Sequence, residues 1–178
     1  MDAREGAGAA AGAGPRPRPA RSKVVALEEL PPRLAGRGTV VLTNGCFDLL
    51  HAGHLKTLEA ARALGDVLVV GVNSDVSVRR LKGPGRPLVP QEQRALLVAA
   101  LECVDFVVVF GELTAERLVQ AVRPQWYVKG GDYRLDRLPE TEAARRVGAR
   151  IVLVPPEPGL STTGLLARAR ARSDEREA

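Results

Sequence analysis

The chain has 178 residues, 45% of them apolar, 26% charged and 3% aromatic, the make-up of one soluble globular domain. Its formal charge of +5 sits mostly at the ends: residues 39–164 carry fifteen Lys/Arg against fourteen Asp/Glu, and six aromatics in all make no stacking platform, so a nucleic-acid partner is not expected. Runs such as Val67–Val72 fall far short of the roughly 18 apolar residues of a membrane helix, and two cysteines are too few for a disulfide framework or a four-ligand zinc site, which suits a reducing cytoplasm.

Residues 1–22 are Ala/Gly-rich and then alternate Pro with Arg or Ala, so they have almost nothing to bury and read as a disordered tail. A single domain is expected over 23–172, and 173–178 reads as a charged tail. Within the domain, strands are predicted at Thr39–Thr43, Asp66–Val72, Asp105–Phe110, Trp126–Lys129 and Ala149–Val154. Helices are predicted through Leu55–Arg62, Pro90–Leu101, Thr114–Val122 and Pro139–Val147, with a last one from near Ser161. Asp66–Val72 is nearly continuous in Val and Leu, as in a parallel strand covered on both faces. The alternation predicts an α/β fold: a doubly wound, five-stranded parallel sheet of Rossmann-like type. In such sheets ligands bind beyond the carboxyl ends of the strands, where strand order reverses.

After the first strand comes Asn44-Gly45-Cys46-Phe47-Asp48-Leu49-Leu50-His51-Ala52-Gly53-His54. His51 and His54 are the only histidines, three positions apart at the mouth of a helix, where both rings can face one side. The unpaired N–H groups and positive dipole end there favour an anion, and Gly53 lets a phosphate approach the backbone. The pair could instead supply two metal ligands, but no matching Cys/His pair exists elsewhere. Capping is the other ordinary role for such histidines.

The stretch Gly45–His54 resembles the signature of the nucleotidyltransferase superfamily that includes the cytidylyltransferases, and Ser161-Thr162-Thr163 resembles its second signature, about 100 residues on. Val72–Asp75, Arg79–Pro87 and Val128–Tyr133 look most like the D-glycero-β-D-manno-heptose 1-phosphate adenylyltransferases within it. The resemblance implies transfer of AMP from ATP to that sugar 1-phosphate, with Mg²⁺ accompanying ATP and its protein ligands unassigned. Relatives are commonly dimeric, so a homodimer is the expectation. The cytidylyltransferases often carry an arginine shortly before the Ser-Thr pair, whereas Pro155–Gly159 has none. That disfavours CTP with a glycerol or polyol phosphate. A non-catalytic nucleotide-binding module is the remaining alternative.

By the same resemblance, His51 and His54 would touch the triphosphate. Lys82, read as part of a loop framed by Gly83, Pro84, Gly85 and Pro87, would close over it or remain a solvated lysine. Thr43, Asn44, Gly45, Cys46 and Phe47 would offer backbone N–H groups to the nucleotide. Lys129, Gly130 and Asp132 would lie near purine and ribose, although a Gly-Gly-Asp turn is also common in loops. Ser161, Thr162 and Thr163 would form a second anion site, with N-capping accounting for one of them. Asp48 could hold a histidine, orient the loop or meet Mg²⁺. Arg94, on the next helix, either supports the phosphates or faces water.

Overall fold

Five runs rich in β-branched residues form the strands β1 (Val40–Gly45), β2 (Val67–Asn73), β3 (Phe106–Phe110), β4 (Trp126–Gly130) and β5 (Arg150–Val154). The computed structural model describes residues 18–157 and 159–177. Every strand pair is parallel and the order is β3-β2-β1-β4-β5, the doubly wound sheet that the alternation predicts. β2 is buried at every position, because helices cover both faces.

The helices are α1 (Ala20–Lys23), α2 (Leu30–Leu34), α3 (Ala52–Arg62), α4 (Asp75–Lys82), α5 (Gln91–Ala99), α6 (Glu116–Val122), α7 (Thr141–Val147) and α8 (Thr162–Glu177). Successive strand residues point to opposite faces and so build two cores. Val40, Leu42 and Val69 pack with Leu118 and Val119 of α6 and Ala143 and Ala144 of α7. On the other face Val41, Leu68 and Val70 meet Leu58 and Ala61 of α3 and Ala95 and Val98 of α5. Each fully buried Val or Leu is worth about 1.5–3 kcal/mol.

Strand order reverses beside β1. β1 pairs with β2 over six residue pairs, as far as Gly45 with Val72, but with β4 over only three, ending at Thr43 with Val128. Beyond that rung β1 and β4 run on without pairing to each other, and a gap opens at their carboxyl ends.

Three features differ from the sequence expectation. Residues 20–22, assigned to the tail, belong to α1, and Lys23 at its end is buried, donating from Nζ to the carbonyls of Leu101 (3.1 Å) and Val104 (2.8 Å). Residues 1–17 of that segment lie outside the described residues. α4 has no predicted counterpart, yet its signals are ordinary: Ser74 Oγ accepts the Ser77 N–H, Asp75 opens the first turn, and Arg79, Arg80 and Lys82 close the last. Lys82 therefore ends a helix instead of lying in a loop. α8 continues to Glu177, through most of the stretch expected as a charged tail. Among the described residues no helix is long and apolar enough to cross a membrane.

Candidate functional site

The gap between β1 and β4 widens into a cleft of about 580 Å³, lined by the β1–α3 loop, the ends of α4 and β4, and the start of α8. Its first wall is the mouth of α3. The rings of His51 and His54 stack with centroids 3.8 Å apart and planes 23° from parallel. His54 Nδ1 accepts a long hydrogen bond (3.4 Å) from the His51 N–H, which leaves the proton of a neutral ring on Nε2. His51 Nδ1 is buried without a partner among the described residues.

Burial lowers His51 below its usual 6.5, and burial together with the His51 charge takes His54 down to about 4. Near neutral pH, with no ligand, both imidazoles are uncharged donors. Gly53 lies close under the ring: a Cβ there would be 3.1 Å from His51 Cε1 and Nδ1 and 3.3 Å from Leu160 Cβ, so both side chains would have to give by a few tenths of an ångström. Phe47 adopts φ 49°, an uncommon conformation for a bulky residue, and its buried ring lies 5.1 Å from that of His54. The loop thus props the histidine pair from below.

The second wall is built on β4 and α7. Asn44 Oδ1 accepts from Tyr127 Oη (2.6 Å) and from Lys129 Nζ (3.0 Å), bridging β1 and β4 where their backbones have stopped pairing. Lys129 is only 7% exposed; burial lowers its pKa, against the opposing pull of Glu140, whose Oε1 is 3.8 Å away. Glu140 Oε1 also accepts the Ala115 N–H at 2.8 Å. Gly130 admits α3 to β4, because a Cβ there would meet Thr57 Oγ1 at 2.6 Å.

A third group sets the loop geometry. Asp48 is buried and orients the loop between α4 and α5: Oδ2 accepts from Arg86 Nε (2.5 Å), Oδ1 from the N–H groups of Leu88 (2.7 Å) and Val89 (3.1 Å). Arg94 neither faces water nor lines the cleft. Its buried guanidinium donates to the carbonyls of Val89 and Cys46 and to Asp75 Oδ1 (2.7 Å), tying three segments behind the site.

Of the residues singled out from the sequence, Thr43, Asn44, Gly45, Cys46, Phe47, Asp48, His51, Gly53, His54, Lys82, Lys129, Gly130, Ser161, Thr162 and Thr163 all line one cleft. Asp132 is exposed outside it. Ser161 Oγ accepts the Gly164 N–H at 3.0 Å, a cap for α8. Sequence reasoning gave no role to Thr57, Asn73, Arg86 and Glu140, although Asn73 and Arg86 fall in stretches that carry the resemblance. Glu140 belongs to no local pattern and is recognisable only once β1, β4 and α7 are side by side. Among the described residues no group of three His, Cys, Asp or Glu is suited to a metal ion, and Asp48 already uses both oxygens.

A family model described as cytidylyltransferase-like matches residues 42–168. A protein named bifunctional protein HldE from Trichlorobacter lovleyi is 49% identical over 151 residues, covering 85% of this chain and 30% of that one. Its namesake from Streptomyces coelicolor is 56% identical over 135 residues, 76% of this chain and 29% of that one. The chain thus spans less than a third of the length of these curated relatives. A crystal structure of the lipopolysaccharide core biosynthesis protein from Thermoplasma volcanium superposes with a TM-score of 0.57 at 28% identity, covering 67% of this chain and 97% of that one.

Proposed function

The chain belongs to the cytidylyltransferase-like family of nucleotidyltransferases, and from that premise we propose that it transfers AMP from ATP to D-glycero-β-D-manno-heptose 1-phosphate, giving ADP-heptose and pyrophosphate. The observation that carries this reading is the stacked pair His51 and His54 at the mouth of α3, in a cleft shared with Ser161, Thr162 and Thr163 at the start of α8. Two helix mouths and two imidazole donors converge on a volume that suits a triphosphate. The likeness to proteins named HldE and to a lipopolysaccharide core biosynthesis protein supports a sugar phosphate as acceptor.

No protein nucleophile is needed. An oxygen of the sugar phosphate attacks the α-phosphorus in line; that P–O bond forms as the bond to pyrophosphate breaks. His51, His54 and Lys82 donate to oxygens on which charge grows, and the N–H groups at the start of α8 hold the far phosphates. Burial raises the Cys46 thiol, so it stays protonated and takes no part. Arriving phosphates favour the charged form of the imidazoles and so oppose the lowering that burial causes. Among the described residues no group of three His, Cys, Asp or Glu could cage Mg²⁺; accompanying the triphosphate, it would supply further charge neutralisation. We place the reaction in the cytoplasm, where ATP is available.

Pyrophosphate release with ATP or CTP against a panel of sugar 1-phosphates tests the proposal. Turnover is expected with ATP and the heptose 1-phosphate, and His51→Ala or His54→Ala should each lower kcat about 10²–10³-fold, the scale of one lost oxyanion donor. Intact turnover in the double variant would refute it. Tight ATP binding with no turnover for any pair would instead indicate a non-catalytic module.

A further inference from the structure

Two buried side-chain atoms lining the cleft have no hydrogen-bond partner among the described residues, His51 Nδ1 and Glu140 Oε2. The first belongs to the phosphate-facing pair. The second has no place in that chemistry. Glu140 is 3% exposed, and its other oxygen is held by the Ala115 N–H at 2.8 Å, with Lys129 Nζ 3.8 Å away and itself donating to Asn44. The Tyr127 hydroxyl lies beside Glu140 but gives its one proton to Asn44 Oδ1 at 2.6 Å, so the buried carboxylate keeps one oxygen without a donor, and a phosphate or carboxylate ligand would be repelled there. A hydroxyl group matches it.

Two molecules carry hydroxyls to this wall, the ribose of the nucleotide, which the resemblance sets near Lys129 and Gly130, and the acceptor sugar; the position of Glu140 favours the second. α3, which carries the histidines, packs on one face of the sheet, whereas α7, which Glu140 immediately precedes, packs on the other. In an in-line displacement the attacking molecule enters opposite the leaving pyrophosphate. With the triphosphate at the mouth of α3, the body of the acceptor extends across the gap between β1 and β4 toward α7. Tyr133, on the loop after β4 and 45% exposed, adds a ring against which the apolar face of a sugar can rest.

We propose that Glu140 is an acceptor-specificity residue whose Oε2 accepts a hydrogen bond from one hydroxyl of the acceptor sugar, with Lys129 fixing the carboxylate. The proposal rests on the nucleotidyl-transfer reading given above. Steady-state kinetics of the full chain test it. Glu140→Gln keeps the size and an oxygen for the Ala115 N–H, so it should raise KM for the sugar 1-phosphate roughly 10- to 100-fold while KM for ATP stays within about threefold. Wild type should lose a similar factor with one particular deoxy-sugar 1-phosphate, and the variant should no longer distinguish that analogue from the full sugar. A shift in the ATP KM instead, or an unchanged acceptor KM, overturns the proposal. Should the variant fail to fold, the deoxy series on wild type decides: if every analogue stays within about threefold of the parent sugar, Glu140 reads no hydroxyl. Failure of the transfer reading looks different, with wild type releasing no pyrophosphate from any pair, and it removes both.

Discussion

The two walls of the cleft solve opposite problems. On the α3 side the rings of His51 and His54 are neutral and leave donor capacity free, so incoming charge finds groups able to respond. On the β4 side Lys129 and Glu140 carry formal charge but are held by Asn44, by the Ala115 N–H and by each other. One wall stays responsive because its groups are weakly committed. The other is rigid because most of its bonds already exist before any ligand arrives, which is what pre-organisation requires.

Breaking the rigid wall should have the larger effect on stability. Lys129→Met leaves Glu140 buried without its cation and should cost about 3 kcal/mol in urea unfolding. A loss below about 1 kcal/mol would show that the two charges behave like a solvated surface pair. Next in size is the pH response of the other wall. The denatured chain protonates at His54 near 6.5 while the folded chain resists until about 4, so stability is full above 6.5 and falls as pH drops through that window. The total is about 3 kcal/mol, and His54→Gln should flatten the slope between pH 6.5 and 4 in pH-dependent melts. An equal slope in the variant would place the proton elsewhere. The smallest change sharpens the contrast: Gly53→Ala pushes on the His51 ring and on Leu160, and should lower kcat about tenfold with a small change in melting temperature.

The responsive wall was legible in the chain because it is local. His51, Gly53 and His54 fall within one turn of helix, next to a β-branched run whose end marks the carboxyl edge of the sheet. The strands were legible for a similar reason, each starting and ending within one or two residues of its expected place. The rigid wall was legible only in part: Asn44, Lys129 and Gly130 were singled out for the nucleotide, but the bridge that joins them to Tyr127 and Glu140 was not. Asn44, Tyr127, Lys129 and Glu140 come together only because β4 inserts beside β1, and no pattern along the chain states that adjacency. Arg94 illustrates a second limit: one arginine on an amphipathic helix reads alike whether it meets water, phosphate or three buried partners. α4 was missed for a weaker reason, since its cap and its charged turns were visible but the Val- and Ser-bearing stretch between them has modest helix propensity.

The short ladder between β1 and β4, three rungs against six on the other side of β1, has a consequence for how such a site can change over evolutionary time. The opening is made by main chain, so no single side chain guards it. Residues around its rim are therefore free to be exchanged for new clientele while the doorway itself stays where it is.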